Sequence, residues 1–244
     1  VFDIRATDVT GSTNDDAAAI LGTPGSAGAV ILADYQRAGR GRRARSWLAP
    51  PGSSLLFTAI LPEPIATAAL WAVPFWTALA VAAGIEAAIG LRTGLQWPND
   101  LLLGDRKCCG ILCVSRIVAE RAWVGCGTGI NVRRPEGDEE LANLVPPPAF
   151  LSDAAPQAER RPVLDAILAA YKSSLRSLER PRDVARDWER RAGLAGTRYR
   201  LHVDGEARPF DAVARRLGED GSLVVDVPGG ERSISLADAR VVRA

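Results

Sequence analysis

Methionine is absent from this 244-residue chain, and histidine occurs once, as His202. The chain opens on Val1, so a native start is read as missing or trimmed, and Val1-Phe2-Asp3-Ile4 is no secretory signal. Neither charge is in excess. Thirty Lys and Arg stand against 29 Asp and Glu, for a formal net charge of +1. That balance excludes a surface built as a whole for nucleic acid or an acidic membrane, so any basic site must be local. Cysteine is scarce and crowded: Cys108, Cys109, Cys113 and Cys126 have neither the spacing of a secreted disulfide framework nor a common zinc pattern. They read as small buried residues in a reducing, cytoplasmic compartment. His202 lies away from every motif below and reads as a surface or core residue. Internal repeats are lacking.

One long uncharged run is present, from Ile65 to Ile85. It is long enough to span a bilayer. Its residues are mostly Ala, Pro74 and two Thr interrupt it, and neither edge carries Lys or Arg. A buried helix of a core is the better reading, with no membrane partner. Apolar residues at 47% and charged residues at 24% support one large domain with room for a small second one.

Residues 1–7 read as a first strand. Ser12-Thr13-Asn14-Asp15-Asp16 then opens an Ala-rich helix with polar caps and early acids. Ala29 to Ala33 and Leu55 to Leu61 read as buried strands, and an Ala-rich helix covers about 66–90. Short strands follow at Gly94 to Trp97, Leu101 to Leu103, Ile111 to Ile117 and Arg121 to Gly127. A run of antiparallel strands after a helix favours an α+β plan, a mixed or antiparallel sheet flanked by helices. Residues 135–160 read as a loop, and Pro162 to Leu178 and Asp183 to Ala192 as amphipathic helices. The tail alternates short strands with Gly turns, as in a small SH3-like barrel. The expected domains are therefore 1–192 and 193–244.

Four segments carry polar chemistry. Between Arg37 and Arg45 lie five arginines with Gly39 and Gly41 among them. Arg forks pair with carboxylate or phosphate, and Gly lets backbone amides approach an anion; a solvated basic loop is the alternative. Gln96-Trp97-Pro98-Asn99-Asp100 reads as a turn and is followed by Lys107-Cys108-Cys109-Gly110-Ile111-Leu112. There Lys107 is a candidate anion ligand and Gly110 a bulge or close-approach point. Gly125, Gly127 and Gly129 empty one face of a strand ending in Ile130-Asn131, leaving space for a flat ring or another backbone. Ser12-Thr13-Asn14 is a helix cap or a small polar pocket.

Taken in order and with their intervals, Ser-Thr-Asn, Gly-Arg-Gly-Arg-Arg, Trp-Pro-Asn-Asp, Lys-x-x-Gly-Ile-Leu and Gly-x-Gly-Ile-Asn resemble the biotin–protein ligases over about residues 1–180. The resemblance implies a class II synthetase-like catalytic domain with a small C-terminal barrel. It implies an enzyme that converts biotin and ATP to biotinyl-AMP and passes the acyl group to a lysine of a biotin carboxyl carrier domain. By the same resemblance Ser12, Thr13, Asn14 and Gln36 would hold the biotin head group, whose ureido ring offers two N–H donors and one carbonyl acceptor. Gly39, Arg40, Gly41, Arg42, Lys107 and Gly110 would line the rest of biotin, with Arg40, Arg42 and Lys107 at the reacting carboxylate and α-phosphate. Arg42, Arg45, Trp47, Asn99 and Asn131 would meet the nucleotide. Asp100 would position a cation or a neighbouring lysine, and Mg2+ would accompany ATP, with no protein metal site. Exposed sheet edges are compatible with a side-by-side homodimer.

Three residues depart from the family pattern: Gln96 stands where Lys is usual, Ala44 where Gly is usual, and Val114 where Glu is usual. Arg45 and Arg106 are the candidate replacements for the missing charge. With no room before Ser12 for a helix-turn-helix, DNA binding is not expected. The alternatives are a ligase for lipoate or octanoate, a relative that binds ligand without turnover, and a basic-loop nucleic-acid binder.

Overall fold

A computed structural model describes residues 2–43, 45–137, 141, 143–144 and 146–236, and the backbone of 239–243. Ala44, one of the three departures, lies outside the described residues.

Two sheets organise the chain. The larger has strands β1 (Asp3–Thr10), β2 (Ala29–Gln36), β3 (Ser54–Ile60), β4 (Ile65–Ala66), β5 (Gly94–Gln96), β6 (Asp100–Leu103), β7 (Arg106–Val118) and β8 (Arg121–Asn131). Its order is β1-β2-β3-β8-β7-β6-β5, with β4 paired to β8. β1 and β2 are parallel and the other neighbours antiparallel, so the sheet is mixed. The parallel pair follows from α1 (Thr13–Ile20), which carries the chain from the end of β1 back toward the start of β2.

Every residue of β3 is buried. Both of its faces are covered, which explains why Leu55-Leu56-Phe57 reads as a continuous apolar run rather than an alternation. On one face Ala17 of α1 and Leu21 just after it pack with Ala29, Ile31 and Ile60. On the other lies the main core, built with α2 (Val73–Ile89), α3 (Arg160–Ser174) and α4 (Pro181–Ala192). Trp76, Phe75 and Tyr171 are fully buried there, each worth roughly 1.5–3 kcal/mol of apolar transfer.

The 66–90 helix is not continuous. Thr67–Ala72 is a 3-10 turn, and α-helix starts at Val73. Pro74 lacks the N–H that a helix interior needs and so sits in the first turn of α2. Thr67–Ile89 is long and apolar enough to cross a membrane, but 67% of its most apolar window is buried in the fold, as expected of a core helix.

The second sheet is antiparallel, with β9 (Arg198–Val203), β10 (Phe210–Leu217), β11 (Leu223–Val227), β12 (Gly230–Ile234) and β13 (Ala239–Arg243) in the order β12-β11-β10-β9-β13. It meets the helical layer closely. The Trp97 indole N–H donates to Gly221 O at 3.1 Å, and a Cβ at Gly221 would come within 2.8 Å of Phe75.

Candidate functional site

Thr10 pairs with Gln36 at the ends of β1 and β2, and Ser12 leads directly into α1. The chain therefore brings the amino end of α1 and the end of β2 to one corner of the sheet. There Gln36 Oε1 accepts from the Thr13 backbone N–H at 2.7 Å and lies 3.0 Å from the Thr13 hydroxyl. Asn14 donates from Nδ2 to Leu112 O at 2.9 Å, crossing from α1 to β7. Ser12, Thr13 and Asn14 are all buried, so this is a closed, polar end rather than an exposed helix cap.

These residues form one wall of a cavity of about 110 Å3. Arg40, Gly41, Arg42, Arg45 and Trp47 of the glycine–arginine loop form a second wall, and Asn99, Lys107 and Gly110 a third. Ser46, Ile111, Leu112, Gly127, Thr128 and Gly129 also line it, though they were not among the candidate contacts. For Gly127 and Gly129 the glycine alternation was the signal: they occupy every second position of β8 and leave its cavity face bare.

The glycines are required by space. A Cβ at Gly129 would lie 2.7 Å from the Trp47 indole, and one at Gly110 2.8 Å from it. At Gly127 it would meet Leu112 O at 2.6 Å. Gly110 is thus a close-approach point, while the bulge falls nearby, where the β6–β7 register shifts between Leu101 and Leu102. In the loop, Gly39 is pinned against Trp47 O, 2.7 Å from where its Cβ would stand. The left-handed backbone of that loop belongs to Arg43, with φ 59°.

Two expected residues do not line the cavity. Gly39 accepts from Trp47 N–H at 2.8 Å and closes the base of the loop. Asn131 is buried at the end of β8, where its Nδ2 donates to Ala149 O at 3.1 Å and its Oδ1 is 3.5 Å from Ser54 Oγ. It secures the segment after β8.

Cations gather at the end opposite Thr13. Lys107 Nζ is 2.6 Å from Asp100 Oδ1 and 5.4 Å from the Trp47 ring centroid, a cation–π contact. Arg42 donates to Asn99 Oδ1 at 3.4 Å and to the Leu236 carbonyl in the turn after β12. Burial pushes the Arg42 guanidinium below its ordinary pKa, and the Asp100 carboxylate opposes that shift. Arg40 lies further out, paired to Asp15 at 2.9 Å. Arg106, a candidate replacement for the missing cation at Gln96, is instead drawn to Asp153 at 3.5 Å. Arg42 is the guanidinium at the Trp-Pro-Asn-Asp turn, whose Trp97–Pro98 peptide is cis. Val114 lies against Gly125 on the α1 side of the sheet, where an apolar side chain fits.

Trp47 is the lid. Its indole lies over Gly110 and Gly129, and its Nε1 is buried with no hydrogen-bond partner among the described residues. Among the described residues no three His, Cys, Asp or Glu side chains group to hold a metal. The four cysteines are free thiols, and burial pushes Cys108 up to about 12, consistent with a packing role.

The sequence profile described as the biotin/lipoate A/B protein ligase family matches residues 7–131. Over 237 residues the chain is 30% identical to the bifunctional ligase/repressor BirA of Bacillus spizizenii, covering 95% of this chain and 71% of that one. It is 28% identical over 245 residues to the biotin–[acetyl-CoA-carboxylase] ligase of Mycobacterium tuberculosis, covering 94% and 85%. Among solved structures, the biotin protein ligase from Aquifex aeolicus in complex with biotin and ATP superposes with a TM-score of 0.78 at 21% identity, over 99% of each chain.

Proposed function

Because the chain belongs to the biotin/lipoate A/B protein ligase family, we propose that it activates biotin with ATP and transfers it to a lysine of a biotin carboxyl carrier domain. One observation carries this reading: a single cavity has a closed, neutral hydrogen-bonding end at Thr13 and Gln36 and a cationic end at Arg42 and Lys107. A ureido ring matches the first end and a carboxylate beside a phosphate matches the second. A saturated acyl chain would leave the buried polar groups of the closed end without partners, which disfavours lipoate or octanoate.

The reaction follows from the two ends. A biotin carboxylate oxygen attacks the α-phosphorus of ATP, and the bond to the β-phosphate bridging oxygen breaks, releasing pyrophosphate. A carrier lysine amine then attacks the acyl carbon, loses a proton and expels AMP. Arg42 and Lys107 screen the two anions that must meet, with Arg40 behind them, and no enzyme nucleophile is needed. Asp100 orients Lys107. Trp47, Arg45 and Asn99 close over the nucleotide side and exclude water from the anhydride. Asn131 supports that side from beneath. Magnesium enters on the ATP phosphates, and no residue of this chain is assigned to it.

The chain division at 193 belongs to the same reading, with residues 193–244 as the small barrel. So do a cytoplasmic location and side-by-side pairing of two copies through an exposed strand edge. DNA is not a proposed partner, since Arg40 and Arg43 of the basic loop are paired with Asp15 and Asp204.

Pyrophosphate release from Mg-ATP is the test, with biotin, with octanoate and with neither. Release that depends on biotin supports adenylation. Release that depends on octanoate moves the chain to the other substrate class, and biotin binding without release makes it a binding protein.

A further inference from the structure

Thr58 sits in the middle of β3 with no exposed surface, and it is not among the described residues that line the cavity. Its hydroxyl is nevertheless 2.8 Å from Asn14 Oδ1 and 2.9 Å from Thr13 Oγ1. The direction of each hydrogen bond here is forced. Leu112 O can only accept, so the Asn14 amide presents Nδ2 to it and turns Oδ1 toward Thr58. Oδ1 has no proton, so Thr58 donates to it. The Thr58 oxygen is then left as an acceptor facing Thr13.

The Thr13 hydroxyl has two protein acceptors within reach, Thr58 Oγ1 at 2.9 Å and Gln36 Oε1 at 3.0 Å. Gln36 Oε1 already accepts from the Thr13 backbone N–H at 2.7 Å, so the hydroxyl proton goes to the nearer, otherwise unoccupied Thr58 lone pair and is committed to the protein. Toward the cavity Thr13 offers lone pairs only. Gln36, whose Oε1 is held by the Thr13 backbone N–H at 2.7 Å, keeps its NH2 as the donor. The closed end thus asks for an N–H beside a C=O, the edge of a cyclic urea.

We propose that Thr58 is the positioning residue that sets this polarity, through a relay from Leu112 O by way of Asn14 and Thr58 to Thr13. The inference deepens the reading of the cavity as a biotin site and rests on it. Thr58 touches no substrate, so its removal acts on head-group affinity and not on the phosphate chemistry.

The experiment is calorimetric biotin binding and pyrophosphate-release kinetics for the parent, Thr58→Val and Thr58→Ser, with thermal melts of each. Thr58→Val keeps the shape and deletes the donor, leaving Asn14 Oδ1 buried and unpaired. Biotin affinity is expected to fall about tenfold, the equivalent of one hydrogen bond, with KM for biotin rising in parallel and KM for ATP unchanged. Thr58→Ser restores both. A biotin analogue with both ring N–H groups replaced by oxygen tests the polarity on the parent alone, and needs no variant to fold. It should bind at least tenfold more weakly, because ring oxygens would face the Thr13 lone pairs. The proposal is overturned by a Thr58→Val protein with parental biotin affinity, by equal rises in both KM values, by failure of Ser to rescue, or by an analogue that binds as well as biotin. If the parent binds biotin with this pattern but releases no pyrophosphate, the ligase reading fails and the relay stands. A parent that binds no biotin overturns both.

Discussion

Arg42 touches three parts of the molecule: the loop that carries it, Asn99 of the Trp-Pro-Asn-Asp turn, and the Leu236 carbonyl, 194 residues away in sequence. Its guanidinium fork can hold the loop down and still face the cavity, which a lysine cannot do with one ammonium. Arg42→Ala should therefore release biotinyl-AMP early and lower carrier labelling by about 10²-fold, the scale of losing a preorganised charge contact; Arg42→Lys should recover only part. Retention of labelled adenylate after gel filtration measures it, and a variant that held adenylate as tightly as the parent would remove Arg42 from the site. The sequence marked Arg42 through its motif but not its partners, because contacts that distant leave no local signal. It proposed Arg45 or Arg106 for the charge absent at Gln96, and only packing reveals that Arg106 goes to Asp153. Thr58 was illegible for the same reason: one hydroxyl in Leu-Leu-Phe-Thr-Ala-Ile looks like an ordinary strand residue until Thr13 and Asn14 fold onto it.

Strands and helices were legible where the pattern is local. The buried runs at 29–33 and 55–61 and the end of the last helix at Ala192 all lie where residue type places them. Hidden from the sequence were the parallel pairing of β1 with β2 and the 3-10 opening of the 66–90 helix, since both depend on what packs above them. The contact between α2 and α3 shows how close that packing is. A Cβ at Gly84 would lie 2.7 Å from the Ile167 backbone and 2.6 Å from its side chain. Backbone cannot yield as a flexible side chain does, so the helices must separate. Gly84→Ala should gain helix propensity yet lose about 1–3 kcal/mol net, lowering Tm by several degrees for a chain of this size. Thermal unfolding checks the sign: a higher Tm would mean the helix pair has slack. Since Gly84 packs against Ile167 in the helical layer and does not line the cavity, biotin affinity of the folded variant should stay at the parental value.

At the scale of the whole molecule, the turns of the second sheet reach back to the glycine–arginine loop. Arg43 of the loop pairs with Asp204 just after β9, beside the Arg42 contact to Leu236 O, and Trp97 Nε1 ties the turn at Asn99 to Gly221 O at 3.1 Å. Both walls of the cavity's cationic end are thus fastened to one small sheet. The Arg43–Asp204 pair is partly exposed, with side-chain exposures of 29% and 63%. Such a pair adds little to global stability and is screened by salt. Its effect should appear in the motion of the loop. Asp204→Ala is expected to leave Tm near the parental value while biotinyl-AMP escapes several-fold faster at low salt. Raising the salt should speed escape from the parent toward the variant's rate and change the variant little, because the screened interaction is already gone. Asp204→Glu should behave as the parent. Adenylate release rates across a salt series decide the matter: equal rates and equal salt dependence for parent and Asp204→Ala would mean that the loop closes without help from the Arg43–Asp204 pair, leaving Trp47 and Arg42 to hold it.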